Sequence, residues 1–229
     1  MDYAVMRELN VLYIYLDLIY LMILGVVLYR LGRKKAFWFG IAGAVLYFVV
    51  DYGGFYLLLG TREVEGANTM WFLLWLSTSY GFTNFAWIWL FLDRDEKILP
   101  LSGLIVGGWL IVAFGSQLFG DSFSTINISR MTGSYHWFML TVLVVGYLYL
   151  MVRHYGEENL WRSLLYLAGI GILVQFSWEA VLLVSGIRPF GLNPILFNSL
   201  LETNLGMPYL YLIHKALTKK NTEAVYLES

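Results

Sequence analysis

Long runs of apolar residues fill almost the whole of this chain. There are seven, each of roughly twenty residues, the length that a helix needs to cross the hydrocarbon core of a bilayer. The composition agrees, because 59% of the residues are hydrophobic and 14% are charged, whereas soluble domains contain about 45–50% and about 25%. The sequence therefore predicts an all-α polytopic membrane protein, a single domain of seven transmembrane helices over residues 1–229.

The predicted helices are joined by short connections, which favour packing of successive helices against one another. They extend over residues about 9–30, 36–59, 69–92, 98–119, 132–153, 161–186 and 194–217. Gly206 and Pro208 are expected to kink the last of them.

Lys and Arg residues divide unequally between the two ends of these helices. Of the 15 in the chain, four lie at one end, namely Arg7, Arg62, Arg130 and Arg188, and the other eleven lie at the opposite end. Because cytoplasmic loops carry an excess of Lys and Arg, the N-terminus is expected outside and the C-terminus in the cytoplasm. We expect an integral protein of a bacterial or archaeal cytoplasmic membrane.

Two parts of the chain share a faint similarity. Gly60-Thr61-Arg62 corresponds to Gly186-Ile187-Arg188, and earlier positions match at a similar offset. The earlier matches are Arg7, Arg30 and Trp38 with Arg130, Arg153 and Trp161. The pattern predicts parallel repeats, residues 1–92 and 130–217, joined by a linker helix at 98–119. This 3+1+3 arrangement is typical of some transporters.

Four carboxylic acids interrupt the apolar runs, although a charge at the centre of a bilayer costs roughly 2.5–3.5 kcal/mol. They are Asp17, Asp51, Glu179 and Glu202. The predicted topology puts all four at similar depth in the outer half of the membrane, which favours one polar cavity open to the outer face. The alternative is that they lie near the headgroups and make structural hydrogen bonds, above all Asp17, which is nearest the surface.

Further polar residues at the same predicted depth are candidates for binding a substrate. They are Ser79, His136, Gln175, Asn198 and Asn204. Gln175 lies one turn before Glu179 and Asn198 one turn before Glu202, so each shares a helix face with an acid. His136 could carry a proton near neutral pH, or it could be an ordinary residue of the membrane interface.

Aromatic residues make up 18% of the chain, and several lie inside the apolar runs, among them Trp75 and Trp178. Ring faces stabilise cations by about 0.5–2 kcal/mol. An aromatic cavity that holds an acid suits carbocation chemistry or a flat hydrophobic ligand, while ordinary packing is the alternative.

Several classes of site are not indicated by the sequence. The chain has no cysteine, no paired-histidine or EF-hand spacing and no glycine-rich phosphate loop. We therefore expect no metal and no cofactor. No basic stretch with interleaved aromatics points to nucleic acid, so the expected partners are membrane lipids and a hydrophobic small molecule.

The last two predicted helices resemble those of a known family. The segments concerned are Trp178-Glu179, Gly186-Ile187-Arg188 and the run NSLLETNLGMP at 198–208. They are similar to the small seven-helix integral-membrane terpene cyclases, the fungal meroterpenoid and indole-diterpene type and their bacterial relatives. The resemblance implies that an acid of the second helix and one of the last helix are essential, which are Asp51 and Glu202 here, with Asp51 standing where a Glu is expected.

The resemblance also implies a reaction. Glu202 or Asp51, kept protonated by burial, would donate a proton to an epoxide or alkene of a prenyl chain taken from the lipid phase, with Glu179 polarising or orienting the acid. Two other functions stay open. A small-molecule transporter would use the acidic cavity for protons or a cationic solute, and a non-catalytic receptor or assembly subunit would need none of these residues.

Overall fold

Helices dominate the fold, as the sequence predicts. A computed structural model describes residues 4–131, 136–189, 191 and 194–227. The helices are α1 (Val11–Arg30), α2 (Lys34–Phe48), α3 (Thr69–Leu92), α4 (Ile98–Phe119), α5 (His136–Arg153), α6 (Leu160–Val184) and α7 (Met207–Leu227). Two wider π-helical segments complete them: π1 (Val49–Leu58), which continues α2, and π2 (Pro194–Glu202), which precedes α7.

Four of the described helical segments are long and apolar enough to cross a membrane. They are α1, α2 continued by π1, α4 and α6. Their outer faces carry many exposed large apolar side chains, such as Met22, Leu58, Ile111 and Leu165, which suits contact with lipid tails. The last predicted helix is divided, because residues 203–206 form a turn between π2 and α7, next to the predicted kink at Gly206 and Pro208.

Helix α3 forms the centre of the bundle. Residues 81–90 are buried without interruption, including Trp87 and Trp89 at 1% and 2% exposure. Its polar residues Ser77, Ser79 and Asn84 are therefore enclosed by protein rather than lipid. Asn68 begins the helix, because its side-chain oxygen accepts a hydrogen bond from the Trp71 N–H at 3.2 Å.

Glycines bring α2 and α3 into close contact. A Cβ atom on Gly43 would overlap the Phe85 ring and lie 2.6 Å from the Gly81 carbonyl oxygen. A Cβ atom on Gly81 would lie 2.9 Å from the Ala44 Cα atom. Small residues at helix contacts are typical of membrane proteins, where close backbone approach provides the dispersion contacts that hold helices together.

A three-stranded antiparallel sheet covers one end of the bundle, and the sequence analysis did not predict it. Its strands are β1 (Ala4–Asn10), β2 (Arg62–Glu65) and β3 (Thr125–Met131), in the order β1-β3-β2. The Glu8 N–H also donates to the Ile187 carbonyl at 3.0 Å. We call this sheet together with residues 186–188 the cap.

The opposite end of the bundle is held by polar contacts between helix ends. Arg33 donates to both oxygens of Asp95, at 2.8 and 3.1 Å. Burial of the Asp95 carboxyl opposes its charge, but the hydrogen bonds from Arg33 and from the Lys97 N–H outweigh burial and hold its pKa below the usual value. His214 of α7 contacts Asp93 at 2.6 Å, which ties α7 to the end of α3.

Substitution of Gly43 tests the contact between α2 and α3. We expect Gly43→Ala to lower stability by about 1–3 kcal/mol, because the added methyl group must displace Phe85 or the α3 backbone. The matched control is Gly103→Ala in α4, where a Cβ atom would meet nothing within 4 Å. Thermal unfolding in detergent should separate the two variants, and equal midpoints would contradict this account of the packing.

Candidate functional site

Two arginines of the cap turn back towards the helices that precede them. Gly60 and Gly186 have φ angles of 61° and 77°, a backbone conformation that favours glycine. Each glycine reverses the chain just after a helical segment, and Arg62 and Arg188 follow two residues later. Each arginine then pairs with an acid on the segment that has just ended. The Gly-x-Arg motif thus explains how charged groups reach the buried acids.

Asp51 lies in π1, and both of its carboxylate oxygens are engaged. Oδ1 accepts from Arg62 Nε at 3.0 Å and lies 2.9 Å from Arg62 Nη2. Oδ2 accepts from the Tyr80 hydroxyl at 3.0 Å. The Asp51 and Arg62 side chains are 3% and 4% exposed. A buried charge is tolerated when it is paired and hydrogen-bonded, and this arrangement provides both.

Glu179 is the fully buried centre of a second cluster. Its Oε2 lies 3.0 Å from Arg188 Nη1, and its Oε1 lies 3.5 Å from Arg7 Nη2. Oε1 also accepts from Asn198 Nδ2 at 3.0 Å. The cap therefore places two positively charged guanidinium groups beside one negatively charged carboxylate.

Gln175 joins this cluster to Glu202. The Thr203 hydroxyl donates to Gln175 Oε1 at 2.7 Å, which directs the amide NH₂ group towards the acids. The NH₂ group donates to Glu179 Oε1 at 3.2 Å and to Glu202 Oε2 at 3.0 Å. Glu202 is half-buried at the end of π2. In the described part of the chain, no Lys or Arg side chain lies within ion-pair distance of its carboxyl group.

These groups adjoin a cavity of about 600 Å³, which is within the usual range of small-molecule sites. Its walls come from α2 with π1, from α3, α5 and α6, and from the chain around the start of α7. The aromatic walls are Tyr47, Phe55, Tyr80, Phe85, Phe138 and Trp178. Leu46, Val50, Ile88, Met139, Val142 and Leu210 supply much of the remaining apolar surface.

The cavity has a polar end and an apolar end. Arg7, Arg62, Asp51 and Glu202 line it next to the cap. Along α3, Tyr80 is followed four residues later by Asn84 and eight later by Ile88, so these three share one face and lead away from the cap. An elongated molecule with one polar end would match this polarity.

The structure brings together about half of the predicted site residues. Asp51, Glu202, Gln175 and Trp178 line the cavity. Glu179 and Asn198 lie outside the lining. Gln175, which lines the cavity, donates to Glu179, and Asn198 donates to Glu179 as well. Asn204 also lies outside the lining, and its Oδ1 accepts from the Tyr147 hydroxyl at 3.4 Å. His136 begins α5, but its side chain falls outside the described residues.

Asp17, Trp75 and Ser79 form a separate buried group. The Trp75 indole N–H donates to Asp17 Oδ2 at 2.9 Å, and none of the three residues lines the cavity. Of the four acids that were expected around one cavity, only Asp51 and Glu202 belong to its described lining. Glu179 adjoins the cavity indirectly, and Asp17 makes a helix-to-helix hydrogen bond, as the alternative interpretation of the sequence allowed.

The aromatic side chains of α3 mainly pack against other helices. Trp87 and Trp109 contact edge to face with ring centroids 5.8 Å apart, and Trp109 contacts Trp178 in the same way at 5.0 Å. Of the internal tryptophans, Trp178 alone lines the cavity within the described residues. The other rings of the wall belong to tyrosines and phenylalanines that the sequence analysis did not select.

Sequence reasoning missed the arginines and two residues of α3. Arg7, Arg62 and Arg188 were noted as charges at the helix ends and as members of the repeat, but not as residues of the site. Tyr80 and Asn84 could have been found from their four-residue spacing within an apolar helix. The described residues contain no group of three or more His, Asp or Glu that could hold a metal ion.

The Asp51–Arg62 pair can be tested by a double-mutant cycle. Arg62→Met should lower stability by about 3–5 kcal/mol, because it removes the guanidinium that pairs with the buried Asp51 carboxylate. Asp51→Leu combined with Arg62→Met should recover much of this loss, since both charges of the pair are then replaced by apolar side chains. Unfolding of the four proteins in detergent measures the coupling, and additive effects would show that the pair is not an energetic unit.

Comparisons of the chain with models of protein families, with curated proteins and with solved structures gave no match.

Proposed function

We propose that this protein is a membrane-embedded terpene cyclase in which Glu202 donates a proton to a prenyl or epoxyprenyl chain. The observation that carries the proposal is the contrast between the two acids of the cavity. Asp51 is paired with Arg62 and accepts from Tyr80, whereas Glu202 accepts from the neutral amide of Gln175. Glu202 has no guanidinium partner among the described residues, so we assign the proton donor to Glu202 and not to Asp51.

The reaction follows from these positions. Glu202 gives its proton to the epoxide oxygen, and the C–O bond breaks as an alkene of the same chain forms a C–C bond to the resulting electron-poor carbon. Tyr47, Phe85 and Trp178 line the cavity and would stabilise the carbocation through their ring faces. Asp51 accepts the proton that leaves a neighbouring carbon, and an alkene forms. Exchange with water resets both acids, so the product is an isomer of the substrate.

The membrane supplies the substrate in this proposal. Val50 of π1 and Phe138, Met139 and Val142 of α5 line the cavity on helices that also carry exposed apolar side chains. We propose that all seven helices cross the bilayer with the cap outside. Helix α3 is not among the four segments that are long and apolar enough to cross a membrane, but protein surrounds its polar residues.

The topology can be tested by labelling, since the chain contains no cysteine. Asp121→Cys lies in an exposed turn before β3, and Glu158→Cys lies in an exposed turn before α6, at the opposite end. In intact cells, a membrane-impermeant maleimide should label the first variant and should label the second only after lysis. The reverse pattern would contradict the proposed orientation, and labelling of both in intact cells would contradict the number of crossings.

Substitution of Glu202 tests the chemistry. Glu202→Gln should lower cyclisation by about 10²–10⁴-fold, the usual contribution of a general acid, while the protein stays folded. We would offer epoxyprenyl compounds to the protein in nanodiscs and follow products of unchanged mass and altered retention by chromatography and mass spectrometry. Glu158→Gln, in an exposed turn, is the matched control and should keep full activity.

Transport is the second candidate function. It is favoured by the pairs Arg62–Asp51 and Arg188–Glu179, because both arginines follow a Gly-x-Arg turn and the two acids lie on corresponding helices of the predicted parallel repeats. If wild-type protein isomerises none of the compounds, the cyclase proposal fails. Solute flux into proteoliposomes that responds to a pH gradient and is lost in Glu202→Gln would then identify a transporter.

A further inference from the structure

Asn84 is a buried amide that lines the cavity. The residue is 1% exposed, and its Oδ1 atom has no hydrogen-bond partner among the described residues. Its neighbour Thr83 differs, because the Thr83 hydroxyl donates to the Ser79 carbonyl at 2.8 Å. A buried polar group without a partner destabilises a fold, and a ligand in the cavity that Asn84 lines would supply one.

The surroundings of Asn84 indicate where that partner lies. Tyr80, one turn nearer the cap, donates to Asp51, and Ile88, one turn further from the cap, is apolar. Asn84 is thus a polar point where the cavity changes from its polar end to its apolar end. An amide is neutral and can both donate and accept hydrogen bonds. In an apolar cavity, such an amide is better suited to hydrogen-bond a neutral oxygen atom than to bind a charged group.

We infer that Asn84 is a ligand-recognition residue that hydrogen-bonds a hydroxyl or carbonyl oxygen on an isoprenoid ligand. This inference rests on the proposed function, and it narrows the substrate class. The ligand carries one oxygen near Glu202 and Asp51 and a second one about a helical turn, roughly 6 Å along α3, further from the cap. Its hydrocarbon remainder extends past Ile88 and Leu210.

Binding to unreactive probes tests the inference without turnover. The probes are farnesol and geranylgeraniol, each beside a hydrocarbon of equal chain length without the hydroxyl, and quenching of tryptophan fluorescence in nanodiscs reports affinity. Wild-type protein should bind each alcohol about tenfold more tightly than its hydrocarbon, as one buried hydrogen bond allows. Asn84→Leu, which keeps the side-chain size, should lower this preference, whereas a hydroxyl bound at Asp51 or Glu202 would keep it at the wild-type value. The variant should bind the hydrocarbons no more weakly than wild type does.

Stability without ligand separates recognition from a structural role. If Asn84 serves the ligand, Asn84→Leu removes an unsatisfied amide and should melt at the wild-type temperature or above it. The control Thr83→Val removes a hydroxyl that is already satisfied and does not line the cavity. It should keep the preference for alcohols.

The outcomes distinguish this inference from the proposed function. If Asn84→Leu melts at a lower temperature than wild type and still prefers the alcohols, the recognition role is overturned and the cyclase proposal stands. If Asn84→Leu loses the preference for alcohols and wild-type protein isomerises none of the compounds, the recognition role stands and the cyclase proposal fails. Wild-type protein that binds neither alcohols nor hydrocarbons would overturn the inference.

Discussion

The pairing of buried acids with arginines from the cap is the interaction on which this structure depends. Asp51 and Glu179 lie inside a bundle whose outer surface is apolar, and neither charge could stay there without a partner. Arg62, Arg188 and Arg7 supply that partner from the same end of the molecule. The small sheet therefore does more than close the bundle, because two of its strands carry arginines that reach the acids.

This pairing also gives the two acids that line the cavity different surroundings. The arginines neutralise two acids and leave Glu202 beside a neutral amide, so two carboxyl groups of one cavity have different surroundings. Gln175 connects Glu202 to the second cluster, because its NH₂ group donates to both Glu202 and the arginine-paired Glu179. A site that needs an acid and a base at once requires such a difference, since like environments would give like proton affinities.

Much of the fold could be predicted from the sequence, because apolar runs of about twenty residues have few stable alternatives to a helix in a membrane. The ends of the first six helices lie within a few residues of those predicted, apart from residues 132–135 before α5, which lie outside the described part of the chain. The last helix is divided around residues 203–206 and continues to Leu227 instead of ending at about 217. The sheet escaped prediction, since β2 has only four residues and β1 directly precedes α1. Strand pairing depends on contacts between distant segments, such as Arg7 with Ile128, which local patterns do not reveal.

The sequence by itself determined the helical class, the four acids within the apolar runs and the shared face of Gln175 and Glu179, because each follows from local composition and spacing. Only the tertiary structure decided which acids meet. Asp17 faces Trp75 rather than the cavity, and Asn198 contacts Glu179 rather than the acid of its own segment. The physical reason is that a helix period fixes which residues share a face, whereas the rotation of each helix and the path of the cap fix what that face contacts.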